Sequence, residues 1–321
     1  TGEIYIKVSS PIKFLNSGKT FAKATMELYP EFGAFLDGGD WNLALEDRSV
    51  PGKGEAYAYA DTQVVDLSDG RKVKVYITDD GTKPNGIHTT LVYSVYSDGA
   101  WSSPEAVKET GHADMTPVLK GDGANAYVIW MNIGRDIPDG TEAGDVYPYA
   151  DLWFSRFDGN GFAEPMLVPA SGNRMMEFDY DLAVEDGNAA VVWLENSGND
   201  PFMESGKNTL YLRVYGSDGE WGSREKLSSS YDMVLDVSAA MNGGQVSVSY
   251  NNGTETFVLS GQSQTSIGEG SDLKVFGGTT YCLRGEELCS IIGGTLIPTG
   301  VYCSTDYQIY DGRVYWTQKT G

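Results

Sequence analysis

The chain has 321 residues, 40 of them glycine, with 12% aromatics and 23 Lys and Arg against 45 Asp and Glu, a formal charge of −22. So acidic a composition argues against partners whose surfaces are themselves anionic, nucleic acid and charged membrane alike, because both demand clustered positive charge. No apolar run approaches the roughly 18 residues of a spanning helix, so no membrane insertion is expected.

The first 55 residues are the least regular. Glu3–Val8 reads as a strand, and residues 19–29 (KTFAKATMELY) fit a helix or a strand. From Val64 onward the chain repeats. The segments VVDLSDGRKVKVYITDD from Val64, TPVLKGDGANAYVIWMN from Thr116, YDLAVEDGNAAVVWLEN from Tyr180 and VLDVSAAMNGGQVSVSYNN from Val234 each read as a hairpin. Tyr76, Trp130, Trp193 and Tyr250 hold matching places in their second strands. A second hairpin follows three of them, at Leu91, Leu152 and Leu210, turning at Asp-Gly and carrying Trp101, Phe162 or Trp221 just beyond the turn. Asp-Gly between alternating strands is a strong hairpin signal.

Two hairpins in roughly 60 residues make a four-stranded antiparallel unit, and such units in series are propeller blades. Residues 244–267, 272–292 and 301–317 continue the rhythm with shorter loops. The expectation is an all-β chain, 1–321 as a single β-propeller of five to seven blades. Residues 56–321 would supply the blade repeats and 1–55 would help ring closure. A β-sandwich or solenoid is the alternative.

The turns Ser97-Asp98-Gly99-Ala100-Trp101 and Ser217-Asp218-Gly219-Glu220-Trp221 resemble degenerate Asp-box turns of the sialidase-type and related bacterial propellers. The likeness spans about residues 60–230. It implies the propeller fold and a bacterial protein, secreted or at the cell surface. It does not imply sialidase activity, because the arginine triad, nucleophilic tyrosine and acidic partner of that family have no matching set here. The chain opens without a leader-like segment and ends within strand-like sequence, as expected of a processed protein or an excised piece.

Strand direction alternates, so the loops joining strands 2 and 3, and the links between blades, emerge together. The long segments all have that parity: 78–90, 132–150, 195–209, and the links 109–116 and 169–179. Loops on a rigid scaffold carry function. The reading favoured by the sequence is a non-enzymatic binding or scaffold propeller that recognises a glycan, peptide or extracellular protein as a monomer. Asn132, Arg135, Tyr149, Trp153, Arg174 and Asn196 are its candidate contacts, with Trp153 more readily read as blade core. The alternative is a glycoside hydrolase or lyase-like enzyme. Asp179 and Glu195 would then be acid and base, with Glu177 and Asp114 as further candidates. The same carboxylates would otherwise cap turns or lie in solvent.

No organic cofactor is expected. Asp136, Asp139, Glu142 and Asp145 recur every third residue and offer oxygen ligands to calcium, although an acidic solvated loop reads the same way. In YCLRGEELC a two-residue turn at Gly285-Glu286 sets Cys282 opposite Cys289, either as a disulfide or as two buried thiols; Cys303 has no evident partner. If the 136–145 loop binds calcium, chelation will lower the melting temperature, because an ion bound only by the native state stabilises it. An unchanged melting temperature in a thermal scan with a chelator removes the calcium site.

Overall fold

The computed structural model describes residues 3–9, 20–27, 55–56, 62–79, 88–136, 138, 141, 147–168, 176–197, 207–228, 234–261, 263–268, 273–276, 278–292, 295–303, 307–310 and 313–315. They form strands and turns, with one 3₁₀ turn at Tyr147–Tyr149. Two compact units are present, Thr1–Pro117 with Trp130–Asp151, and Val118–Ile129 with Leu152–Gly321.

In the first unit, β1 (Glu3–Ser9) pairs antiparallel with β2 (Thr20–Glu27), so the described part of the ambiguous 19–29 segment is a strand. The first blade follows. β3 (Glu55–Ala56) and β4 (Gln63–Asp66) share one edge of β5 (Lys72–Asp79). β5 pairs with β6 (Thr89–Ser97), whose far edge carries the short strands β7 (Ala100–Trp101) and β8 (Glu105–Ala106). The second sheet runs β9 (Asp114–Gly121), β10 (Ala126–Ile133), β11 (Ala150–Phe157) and β12 (Met166–Leu167), and supplies residues to both units.

The second unit continues in the same order. Its sheets are β13 (Met176–Glu185), β14 (Asn188–Asn196), β15 (Asn208–Tyr215) and β16 (Glu225–Lys226); then β17 (Leu235–Asn242), β18 (Gln245–Asn251), β19 (Thr256–Ser260) and β20 (Ser263–Gly268); then β21 (Lys274–Phe276), β22 (Thr279–Arg284), β23 (Glu287–Ile292) and β24 (Thr295–Tyr302). The hairpin β25 (Gln308–Tyr310) and β26 (Arg313–Tyr315) follows. Among the described residues, four four-stranded antiparallel meanders follow one six-stranded sheet in chain order; such serial sheets are propeller blades, and the chain is an all-β propeller protein.

Burial explains the composition of each strand. The second strands β10 and β14 are buried along nearly their whole length, so both read as continuous apolar runs rather than alternating ones. The fourth strands β12 and β16 are two residues long, which leaves little unpaired edge. Blades three and four share one core, in which Val192, Leu194, Leu210 and Leu212 meet Val237, Ala239, Met241 and Tyr250. Removing each such aliphatic side chain from water contributes about 1.5–3 kcal/mol.

The turns behave as the sequence implies. Asp98 and Gly99 both have positive φ, 53° and 84°, the backbone a two-residue hairpin turn requires. Asp158 and Asp218 instead accept the N–H two residues on with their carboxylates, which closes the turn from the side chain. The aromatic beyond the turn folds back across the hairpin: Trp101 lies 5.4 Å from Tyr96, Phe162 5.5 Å from Phe157, and Trp221 5.3 Å from Tyr215. Lys74 sits over the Trp101 ring at 4.3 Å and Arg213 over Trp221 at 5.1 Å, so a cation covers two of these rings.

Side chains also tie one blade to the next. The Asp122 carboxylate accepts N–H groups from Ala124 and Asn125 in its own turn, the Tyr127 hydroxyl, and the Gly187 N–H of the following blade. Burial alone would raise its pKa, but these donors outweigh it and hold the carboxyl below the usual range. Glu185 takes the N–H groups of Gly243 and Gly244 in the same manner. Replacing Asp122 with Ala strands several of these donors, and we expect a loss of about 2 kcal/mol. Urea unfolding will show it as a lower midpoint at unchanged slope.

Candidate active site

In the first unit the chemistry gathers where strands meet the long loops. Asp79 ends β5 and His88 precedes β6, and the His88 ring nitrogen Nδ1 hydrogen-bonds to Asp79 Oδ1. His88 is buried, so this pair clasps the two strand ends on either side of residues 80–87. Asp114 begins β9 and is 1% exposed. Its Oδ2 accepts the Leu91 N–H at 2.9 Å; its Oδ1 accepts Trp130 Nε1–H at 2.9 Å and Asn132 Nδ2–H at 2.7 Å. Burial pushes its pKa up to about 6 against these three donors.

Asn132, a candidate ligand contact by sequence, is 3% exposed and turned inward to Thr110, Ala113 and Asp114. Arg135 projects beyond β10 and lies 3.9 Å over the Tyr149 ring, which brings two candidate contacts together. Gly134 N–H donates to Tyr149 O and holds the base of that loop closed. Asp136 is exposed and 3.8 Å from His112 Nε2. Asp139, Glu142, Asp145 and Arg174 lie outside the described residues, as does the side chain of Glu177 in β13. Among the described residues no group of three His, Cys, Asp or Glu side chains is placed to hold a metal.

In the second unit two faces of one blade are distinct. On one, Glu195 near the end of β14 accepts Trp193 Nε1–H at 2.9 Å and pairs with Arg224 at 3.0 Å. Arg224 is stacked 3.7 Å over Tyr211. Burial raises the Glu195 pKa, and Trp193 and Arg224 pull against the rise. On the other, Asn196 Nδ2–H donates to Asn208 Oδ1 at 2.7 Å, with both residues buried. Trp153 is half-buried in β11, opposite Leu167 of the outer strand.

Asp179 lies near the start of β13, where pairing with β14 shifts between Met176↔Glu195 and Tyr180↔Trp193. Such a bulge re-aims a side chain. Both carboxylate oxygens share the Val237 N–H of β17 at 3.2 Å. Two residues on, the largely buried Asp181 accepts the Ala239 N–H at 2.8 Å and faces Lys120 Nζ at 4.0 Å. Burial, joined by the charges of Asp236 and Asp181, pushes the Asp179 pKa up to about 6. Asp236 is exposed at a second bulge, between Leu235 and Ser238, with φ of 54°.

Asp181, Asp236, Arg224 and the Asp79–His88 pair were not among the candidates drawn from sequence. The spacing Asp179-x-Asp181 within a strand was a legible sign of two carboxylates aimed at one neighbour. Asp236 was not legible, since only the bulge places it beside Asp179.

Neither a protein-family model nor a curated protein matches the sequence. Solved structures do resemble it. Trypanosoma rangeli sialidase aligns at 9% identity and a TM-score of 0.49, over 82% of this chain and 52% of that one. The α-L-arabinofuranosidase Arb93A of Fusarium graminearum aligns at 9% and 0.47, over 78% of each chain. The α-L-arabinanase of Penicillium chrysogenum, solved with arabinobiose, aligns at 12% and 0.45, over 75% and 73%. The chain spans about half the length of the sialidase chains it matches. Identities this low confine the likeness to the fold, and no residue role is carried over. The structures it resembles are a sialidase, an arabinofuranosidase and an arabinanase, which stand against the non-enzymatic binding propeller expected from sequence; that reading is not taken further.

Arg224→Ala leaves the Glu195 carboxylate buried without its cation, and we expect a loss of about 3 kcal/mol. Glu195→Gln added to it will restore part of that loss in chemical denaturation. If the double variant is as unstable as Arg224→Ala, the pair does not act as a unit.

Proposed function

We propose that this chain is a glycoside hydrolase whose general acid is Asp179. One observation carries the reading: a half-buried carboxyl at the loop-rich end of a bulged strand, holding its proton to about pH 6 beside the second, exposed carboxylate of Asp236. Two carboxyl groups with unlike environments are what glycosidic cleavage needs, one to protonate the leaving oxygen and one to act as base or nucleophile. Asp114 is held by three donors away from solvent and Glu195 is locked to Arg224, so neither carboxyl is free to take the acid's role.

The substrate is a glycan, supported by the glycan-directed enzymes that share the fold. Arg135 on Tyr149 offers a polar and aromatic lip for a sugar in the first unit. The acidic composition suits an extracellular setting, where 136–145 would take calcium if any segment does.

Sialosides, arabinans and other plant and host glycans form the test panel, with release of reducing sugar as the readout. On the cleaved substrate, Asp179→Asn should reduce kcat by roughly 10²–10⁴. Asp181→Asn removes a blade tie and one of the charges that raise the Asp179 pKa, so it should lower stability and move the falling limb of the pH profile to lower pH while leaving kcat below that limb within a few-fold. The kcat/KM of the wild type should fall as pH rises through about 6, because the acid must keep its proton. A panel with no cleavage, or an Asp179→Asn enzyme with full kcat, overturns the proposal.

A further inference from the structure

The hairpin β22–β23 carries a feature that the proposed chemistry does not use. Cys282 and Cys289 are directly opposed in register, flanked by Leu283↔Leu288 and Tyr281↔Ser290. Opposed residues of an antiparallel pair have Cα atoms about 4.5–5.5 Å apart, inside the about 4.4–6.8 Å that a disulfide spans. Both thiols are wholly buried and face the same core, with Ala240, Val258, Ile267 and Leu273 of the blade before and its link.

The third cysteine sits elsewhere. Cys303 belongs to a separate core with Leu283, Leu288 and Tyr307. Residues 283 and 288 point to the opposite face of the sheet from 282 and 289, because successive side chains alternate. The sheet therefore stands between Cys303 and the pair. All three cysteines are free thiols in the structure, but parity leaves Cys303 out and makes Cys289 the partner within reach of Cys282, which removes the objection an odd cysteine raises from sequence alone.

We infer that Cys282 and Cys289 form a cross-strand disulfide when the chain folds in an oxidising compartment. The oxidant is a small-molecule disulfide such as oxidised glutathione. One cysteine thiolate attacks it and expels one glutathione thiolate, giving a mixed disulfide. The second cysteine thiolate attacks the protein sulfur of that intermediate and expels the other. Two electrons pass from the cysteine pair to the oxidant, and the two protons end on the two glutathione thiols. Exchange belongs to folding, before the blades stack, because the finished core excludes the oxidant. Burial, then the neighbouring Cys289, pushes the Cys282 thiol up to about 12, which starves exchange of thiolate once the core has closed.

Peptide mapping tests this on the full chain, produced once in a secretory oxidising compartment and once in a reducing cytosol. The protein is unfolded without reductant in the presence of a thiol-alkylating reagent and digested with trypsin. Cleavage after Lys274, Arg284 and Arg313 separates Cys282 from Cys289 and Cys303. The bridge predicts peptide 275–284 joined to 285–313, with the label on Cys303, in the oxidised sample only. Its reduction should lower the melting temperature by several degrees, and Cys282→Ala/Cys289→Ala should abolish that shift. Labelled Cys282 in the oxidised sample, or a bridge from either residue to Cys303, overturns the inference. Cys303→Ser should leave the 275–284 linkage intact.

Discussion

A blade's first strand has one edge turned away from its own sheet, and the N–H groups of that edge must find acceptors. Backbone pairing between blades does not supply them, so side chains do. Asp179 takes the N–H of Val237 and Asp181 that of Ala239, and Ser238 takes that of Leu273 in the following link. An unpaired buried amide costs about 1–3 kcal/mol, and charge-assisted bonds are roughly twice as strong as neutral ones. A carboxylate on an inner strand is thus the economical acceptor. The acidic composition is in part a consequence: some of the 45 acids are built into the scaffold as acceptors rather than spread over its surface.

That use of carboxylates explains why sequence alone could not tell structure from chemistry. The residue types that anchor a blade are those that cleave a glycosidic bond, and both occur at strand ends beside long loops. Exposure and saturation separate them. Asp114 is 1% exposed with three donors on two oxygens, and no substrate oxygen can reach it. Asp179 takes the Val237 N–H across both oxygens and is partly open. A carboxyl with spare acceptor capacity, raised proton affinity and a neighbouring charge is free to act on something else.

The fold was legible because its determinants are local. Asp-Gly turns, the recurring aromatics at 76, 130, 193 and 250, and the period of about 60 residues each follow from short stretches of chain. The Gly285-Glu286 turn even fixed the 282–289 register, because a two-residue hairpin leaves no freedom to slip. What escaped was non-local. The bulges before Tyr180 and Ser238 arise where an inner strand must serve both its own blade and the next, and no local pattern announces that conflict. The inward turn of Asn132 is non-local as well: it sits near the end of β10, and its side chain donates to the Asp114 carboxylate 2.7 Å away.

The same logic bears on how Asp179 came to have an acid's proton affinity. Desolvation is the largest cause, and desolvation follows from its role as a tie: an acceptor for Val237 must sit under the neighbouring strand. Asp236 adds its charge because the bulge that frees the Val237 amide also turns Asp236 outward beside it. A raised pKa on a carboxylate disfavours the folded state as pH climbs from about 4 to about 6, since the native form binds the proton more tightly across that window. The blade junction thus gives up some stability near neutrality to hold an acid that is still protonated where an unperturbed aspartate is not. In Asp114 a similar rise accompanies full enclosure and has no outlet; in Asp179 it accompanies partial exposure. The raised proton affinity of Asp179 is thus a by-product of how neighbouring blades satisfy their edges.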